Sequence, residues 1–191
     1  MNIWLRLVQQ ADREYPAGAR LVAIACGGLI FGFAIPAFLF WISRLGMDSW
    51  QFESSPAILV LSLVLALAGL YLILWSAWVQ FHYARGTPIP LMPTRKLLTG
   101  GPYALCRNPM AMGIILLYSG IATLTASCAA MLAVVLFAIL LMTYIKLFEE
   151  KEMSLRFGEE YLRYRENIPF IIPSISVFLK KMRHHPANSE R

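Results

Sequence analysis

Residues 108–145 read NPMAMGIILLYSGIATLTASCAAMLAVVLFAILLMTYI, 38 residues between Arg107 and Lys146 without one Asp, Glu, Lys or Arg. As a single helix this stretch would be about 57 Å long, nearly twice the roughly 30 Å hydrocarbon core of a bilayer. It must therefore fold back on itself, because coil exposed to lipid would leave backbone polar groups unpaired. The small, polar run Thr123–Ser127 is the place for the turn. The expected product is a tight helical hairpin with arms Pro109–Leu124 and Cys128–Phe148, both short for full spans, so that its tip stops below the far interface.

Two more charge-free stretches lie upstream, 23 residues between Arg20 and Arg44 and 31 between Glu53 and Arg85. Each supplies one span, near Leu21–Ile42 and Ala57–Phe81. Of the 191 residues, 58% are hydrophobic and 15% charged, more apolar surface than a soluble domain of this size can bury. That composition also excludes a disordered chain. The fold class expected is an all-α integral membrane protein of about four transmembrane helices, organised as one membrane domain over 1–191. Within it, 1–18 form an interfacial segment, 19–81 the first two spans, 82–173 the motif-bearing region and 174–191 a basic tail.

Lys and Arg number 3 before the first span, 1 in the first loop, 4 in the second, 0 in the hairpin turn and 9 after the last span. The positive-inside tendency places both termini and the loop Tyr83–Asn108 in the cytoplasm. The net charge of +6 then belongs to one face, where it suits anionic lipid headgroups; nothing else favours nucleic acid. The first apolar span is long and starts only near residue 21, which reads as a retained helix and not a cleaved signal peptide. Asn2–Tyr15 mixes Ile3, Trp4, Leu5, Leu7 and Val8 with charges, as an interfacial helix does. Cys26, Cys106 and Cys128 share no metal-ligand spacing, and Cys26 and Cys128 read as small apolar fillers. His82 beside Tyr83 suits an interfacial position, and His184 and His185 lie in the polar tail. No metal site is expected.

Two segments carry more chemistry than loops need. The first, Gly86 to Met110, reads GTPIPLMPTRKLLTGGPYALCRNPM. Pro88, Pro90 and Pro93 favour an extended path, and Gly100-Gly101 permits a tight turn. Asn108-Pro109 is a helix start, with Asn as N-cap and Pro at the first helical position. Its unpaired N–H groups and positive dipole end, just after Arg107, suit a carboxylate or phosphate. Ordinary capping of a membrane helix explains the same residues.

The second segment, Phe148 to Pro173, reads FEEKEMSLRFGEEYLRYRENIPFIIP. Glu149 and Glu150 fall where the fourth helix is expected to end, opposing its dipole, which points to a bound cation or to a bond with Arg107 or Lys146. Phe157-Gly158 reads as a helix stop. Tyr161 and Tyr164 share one helix face, either to stack on a planar ligand or to anchor at the interface. An anion site at one helix start beside a carboxylate at a neighbouring helix end matches the two charges of a zwitterionic amino-acid group.

The run Gly101-Pro-Tyr-Ala-Leu-Cys-Arg-Asn-Pro-Met-Ala-Met-Gly113 resembles the pattern GPYxxxR(H/N)PxYxG of membrane methyltransferases, the family of isoprenylcysteine carboxyl methyltransferases and phospholipid N-methyltransferases. Glu149-Glu150 followed by Phe157-Gly158, Tyr161 and Tyr164 resembles its downstream EE…FGxxYxxY…P, and Gly86-Thr-Pro…Pro93…Leu97-Leu98 resembles bacterial members. The likeness covers about Gly86–Pro173. It implies an S-adenosylmethionine site at the cytoplasmic face, built by the 83–109 loop and the C-terminal helical segment. Leu98, Gly101, Tyr103, Asn108, Pro109, Met110 and Ala111 would line it, and Glu149 would hold the charged amino-acid end. Arg107 and Glu150 join them on charge grounds, and Lys146 stands as a substrate contact.

The chain departs from the pattern at Ala111, where the family has Tyr, at Ile145, where isoprenylcysteine enzymes carry a substrate-holding Arg, and at Phe170, often Arg. The resemblance implies methylation of a lipid-like or lipidated acceptor, either a carboxylate or an amine, by a multi-pass protein of the bacterial inner membrane. Two alternatives stand beside it: an NADPH-dependent reductase of sterol-reductase type, and a non-enzymatic membrane adaptor that retains the pocket.

Overall fold

The computed structural model describes residues 17–44, 53, 55–83 and 96–172. The N-terminal segment Asn2–Tyr15, the path through Pro88, Pro90 and Pro93, and the tail with His184 and His185 lie outside the described residues. What is described is an all-α membrane protein: three helices are long and apolar enough to cross a bilayer, and a fourth apolar helix is shorter.

The first span is one continuous rod made of α1 (Ala17–Leu29), a π turn (Ile30–Ala34) and α2 (Ile35–Arg44). The π turn has a local cause in Pro36. The Ile35 N–H bonds the Ile30 carbonyl five residues back, and Pro36, next in line, has no N–H for Phe31. The orphaned Phe31 carbonyl accepts a 2.6 Å bond from the Tyr118 hydroxyl, which ties the first span to the hairpin. In lipid no water is available for that carbonyl, so the tie is required.

Helix α3 (Pro56–Tyr83) is 28 residues long, about 42 Å, enough to cross and emerge. Helices α4 (Pro109–Leu124) and α5 (Cys128–Tyr144) form the hairpin expected from the sequence, with α4 starting and ending where expected. Between them Thr125-Ala126-Ser127 makes the turn, Ala126 taking φ 49° and Ser127 capping α5 through Ala130 N–H. At 16 residues α4 is about 24 Å long, shorter than the hydrocarbon core.

The closest helix contact is not within the hairpin but between α3 and α4. A Cβ on Gly69 would collide with Leu117 N and Gly113 O, and one on Gly120 would lie 2.6 Å from both Ala66 N and Ser62 O. Small residues let these backbones touch, the usual means of helix association where lipid removes the hydrophobic driving force. The protein is otherwise turned inside out. Phe33, Leu67 and Leu140 are mostly exposed, facing lipid, and the core is narrow: Leu39, Tyr118, Ala122, Ala130 and Val134. Cys26 and Cys128, expected as fillers, are exposed on their helices, whereas Cys106 is buried.

The end of α5 corrects the sequence reading. The fourth helix was expected to stop at Phe148; instead it passes through a second π turn (Ile145–Glu149) into α6 (Glu150–Asn167). Glu149 and Glu150 therefore do not oppose a free helix end. The wider π turn absorbs the change from the apolar arm, residues 128–145, to the charged segment beyond it. Phe157-Gly158 interrupts α6 as expected of a stop, by a kink at Gly158 with φ 51° and ψ −128°.

Candidate functional site

At the motif-bearing end of the bundle, residues 96–108 lie against α3, α6 and the stretch 168–170. Gly100-Gly101 turns the chain, Gly101 at φ 60°, into a single 3₁₀ turn (Gly101–Ala104) that buries Pro102, Tyr103 and Ala104. Gly101 sits over Trp75 and Val79 of α3, where a Cβ would lie 3.5 Å from Val79 and 3.8 Å from the Trp75 indole nitrogen. Gln80 of α3 donates from its Nε2 to the Tyr103 hydroxyl.

Three bonds then strap the chain beyond α6 and α6 itself onto this loop. The Tyr164 hydroxyl donates to the Tyr103 carbonyl at 2.7 Å, the Arg107 N–H to the Pro169 carbonyl at 2.9 Å, and Asn108 Nδ2 to the Phe170 carbonyl at 2.9 Å. Asn108 does occupy the N-cap position of α4, with Pro109 first in the helix, but its side chain makes no cap bond. The bond to Phe170 uses it instead, and the first turn of α4 goes without a cap from Asn108. Tyr161 and Tyr164, expected to stack on a ligand or anchor at an interface, lie inside the protein. Both are buried in a cluster with Ile168, Leu97, Met153 and Phe157.

Arg107 and Glu150, two groups 43 positions apart, meet at 2.8 Å with side chains only 12% and 11% exposed. The pairing of Glu150 with Arg107, one of the uses the sequence offers, is present. Arg107 also lies beside the Tyr161 hydroxyl, and its buried Nε has no hydrogen-bond partner among the described residues. The Phe170 ring lies 5.6 Å from the Arg107 guanidinium and 5.9 Å from the exposed Lys146 ammonium. Ile145 is buried, 2% exposed, so that position faces the protein and not lipid.

Glu149 differs from Glu150. Among the described residues no hydrogen bond or ion pair engages its carboxylate, although Tyr103 and Glu152 are close enough to feel its charge. It lies beyond the apolar arm, yet burial first and the Glu152 charge second push its acidity up to about 7. Burial also holds the Tyr103 phenol far above its ordinary value and raises the Cys106 thiol to about 11, so both stay neutral.

The structure thus gathers Gly101, Tyr103, Arg107, Asn108, Glu149 and Glu150 at one end, joined by α3, α4 and α6. Leu98 is half-buried in the same loop; Pro109 and Ala111 are buried and Met110 half-buried in the first turn of α4. Among the described residues Lys146 reaches this cluster through the Phe170 ring. The sequence motifs did not contain Gln80, Trp75 or Val79. A lone Gln in a 28-residue apolar helix, one residue from Val79 and one turn from Ser76, was the signal available.

The family model for phospholipid methyltransferases matches residues 57–160, just over half of the 191. The chain belongs to that family. It is a membrane methyltransferase. A comparison with curated proteins finds no match. The match starts inside α3, upstream of the likeness noted from Gly86, and so includes the α3 face that floors the loop of this methyltransferase.

Proposed function

We propose that the methyltransferase uses S-adenosylmethionine to methylate the amine of a phospholipid-type headgroup. The observation that carries this is Glu149, a half-buried carboxylate with no cationic partner among the described residues, set beside the family's loop motif. The residues fit the cofactor's zwitterionic end. Glu149 would take the ammonium, while the uncapped first turn of α4, at Met110 and Ala111, and the spare Arg107 Nε would take the carboxylate. The buried Arg107–Glu150 pair then fixes the distance between these two charge-binding features. Leu98, Gly101 and Tyr103 would line the remainder. When bound, S-adenosylmethionine supplies an electrophilic methyl on a sulfonium.

At the reacting carbon the protein's task is alignment and exclusion of water, while the headgroup ammonium must first give up a proton to solvent so that its nitrogen lone pair can form the N–C bond as the S–C bond breaks. An amine acceptor is favoured over a carboxylate by the cations near the site. Arg107 is spent on Glu150, Ile145 is apolar and buried, and Lys146 is exposed at the rim, where it suits a headgroup phosphate. The acceptor's acyl chains would stay among the lipid-facing helices while its head enters the loop site. Both termini and the site would lie on the cytoplasmic side, from the distribution of Lys and Arg.

The test is thermal melting of the purified chain with S-adenosylhomocysteine, which should stabilise it by about 2.7 kcal/mol at a hundredfold excess over Kd. NADPH should not. Glu149→Ala should abolish the shift. Absence of any shift in the folded wild type, or full retention in Glu149→Ala, would overturn the reading. Labelled methyl transfer into phosphatidylethanolamine vesicles, against a prenylated cysteine peptide, decides the acceptor.

A further inference from the structure

Gln80 lies near the end of an otherwise apolar helix and is half-buried. Its Nε2 donates to the Tyr103 hydroxyl, but its Oε1 is buried with no partner among the described residues, as is the Ser76 hydroxyl one turn earlier. A buried acceptor left unpaired is costly, and polar groups at such positions in membrane helices mark sites of use. Tyr103 accepts from Gln80, so its own O–H remains to be donated. Glu149 is near enough for its charge to reach that hydroxyl. The α3 amide thus touches the phenol of the loop, and the carboxylate at the end of α5 lies within electrostatic reach of that phenol.

We infer that Gln80 is a further cofactor-binding residue, its amide N–H holding the Tyr103 hydroxyl toward Glu149 and its Oε1 serving as an additional acceptor for the ligand's ammonium. This rests on the cofactor reading above. An ammonium has three N–H groups and one carboxylate rarely satisfies all of them. The buried Oε1 supplies what Glu149 leaves, and neutral Tyr103 orients the carboxylate without competing for charge.

Isothermal calorimetry on the full chain separates this role from mere packing. The two probes are S-adenosylhomocysteine and 5′-methylthioadenosine, which share the adenosine and thioether and differ in the amino-acid end. Gln80→Leu should weaken S-adenosylhomocysteine binding about ten- to a hundredfold, the loss of one or two bonds to a charged group. Methylthioadenosine binding should stay within about twofold on the same grounds, since its lost contacts are none. In a Glu149→Gln background the Gln80→Leu change should add little, because both residues serve one ammonium. Equal weakening of both probes, or no weakening of either, overturns the inference while leaving the cofactor reading intact. Failure of wild-type protein to bind S-adenosylhomocysteine overturns both. Should Gln80→Leu not fold, Tyr103→Phe carries the same test, with the same selective loss expected and its absence counting against the proposal.

Discussion

The Arg107 guanidinium and the Glu150 carboxylate meet at 2.8 Å across the junction of α4 and α6, both nearly buried. Removing one partner strands a charge in a poorly solvated place, which typically costs about 3–5 kcal/mol. Arg107→Met and Glu150→Gln should each lower the melting temperature in detergent markedly. The double variant Arg107→Met/Glu150→Met should recover much of the loss, since it leaves neither charge behind. If the singles melt like wild type, the pair is not a structural clasp.

The α3–α4 contact predicts a sharp contrast among glycines. Gly69→Ala forces a methyl into the α4 backbone at Gly113 O and Leu117 N, an overpacking of about 1–3 kcal/mol or more. Gly28→Ala meets nothing within 4 Å and should be neutral or slightly stabilising. Melting curves of the two variants, measured side by side, check this.

Tyr118 and Pro36 form a second pair of linked positions. Tyr118→Phe leaves the Phe31 carbonyl without a donor in an apolar medium, an expected loss of about 1–2 kcal/mol. In a Pro36→Ala background the restored N–H can serve the helix, so the cost of Tyr118→Phe should shrink. An undiminished cost would mean that the π turn does not depend on the proline.

Glu149 sets a pH dependence with a definite sign. Its folded acidity, about 7, lies above the ordinary 4.5 of a free carboxyl. The folded protein therefore holds that proton more tightly than the unfolded chain. The stability this contributes is complete below about 4.5 and is lost as pH rises through 7. Glu149→Gln should accordingly gain on wild type as the unliganded protein is taken from pH 5 to pH 8. Ligand binding runs the other way. An ammonium needs the carboxylate form, so S-adenosylhomocysteine affinity should climb with pH up to about 7 and then level off, and in Glu149→Gln be weak and flat. Calorimetry across that range reads both slopes.

Much of this architecture was legible because lipid imposes simple arithmetic. A 38-residue charge-free run exceeds one crossing, and polar Thr123–Ser127 is where it turns. The loop residues were legible because Gly101, Asn108 and Pro109 have narrow backbone uses. What the sequence hid are effects of the third dimension. A Glu pair looks the same at a helix end and inside a continuing helix, so the π turn at Ile145–Glu149 went unseen. Asn108 has the chemistry of a cap, and only the return of Phe170 draws its amide away. Gly69 and Gly113 carry no sign of which helix they touch, and Gln80 matters only because Tyr103 comes to lie above it.

The π turn between α5 and α6 contains one residue more than an α-helical turn would use. Each residue of an α-helix advances about 100° around the axis, so that surplus sets the angular phase of everything beyond it. Shortening the turn by a single residue would swing α6 by more than a quarter of a revolution while leaving the membrane arm in place. Glu150 would rotate away from Arg107, and Tyr161 and Tyr164 would leave their seat against the loop. The enzyme's gripping end is thus timed to its lipid-embedded end by one amino acid, and a deletion there would uncouple them without touching a single motif residue.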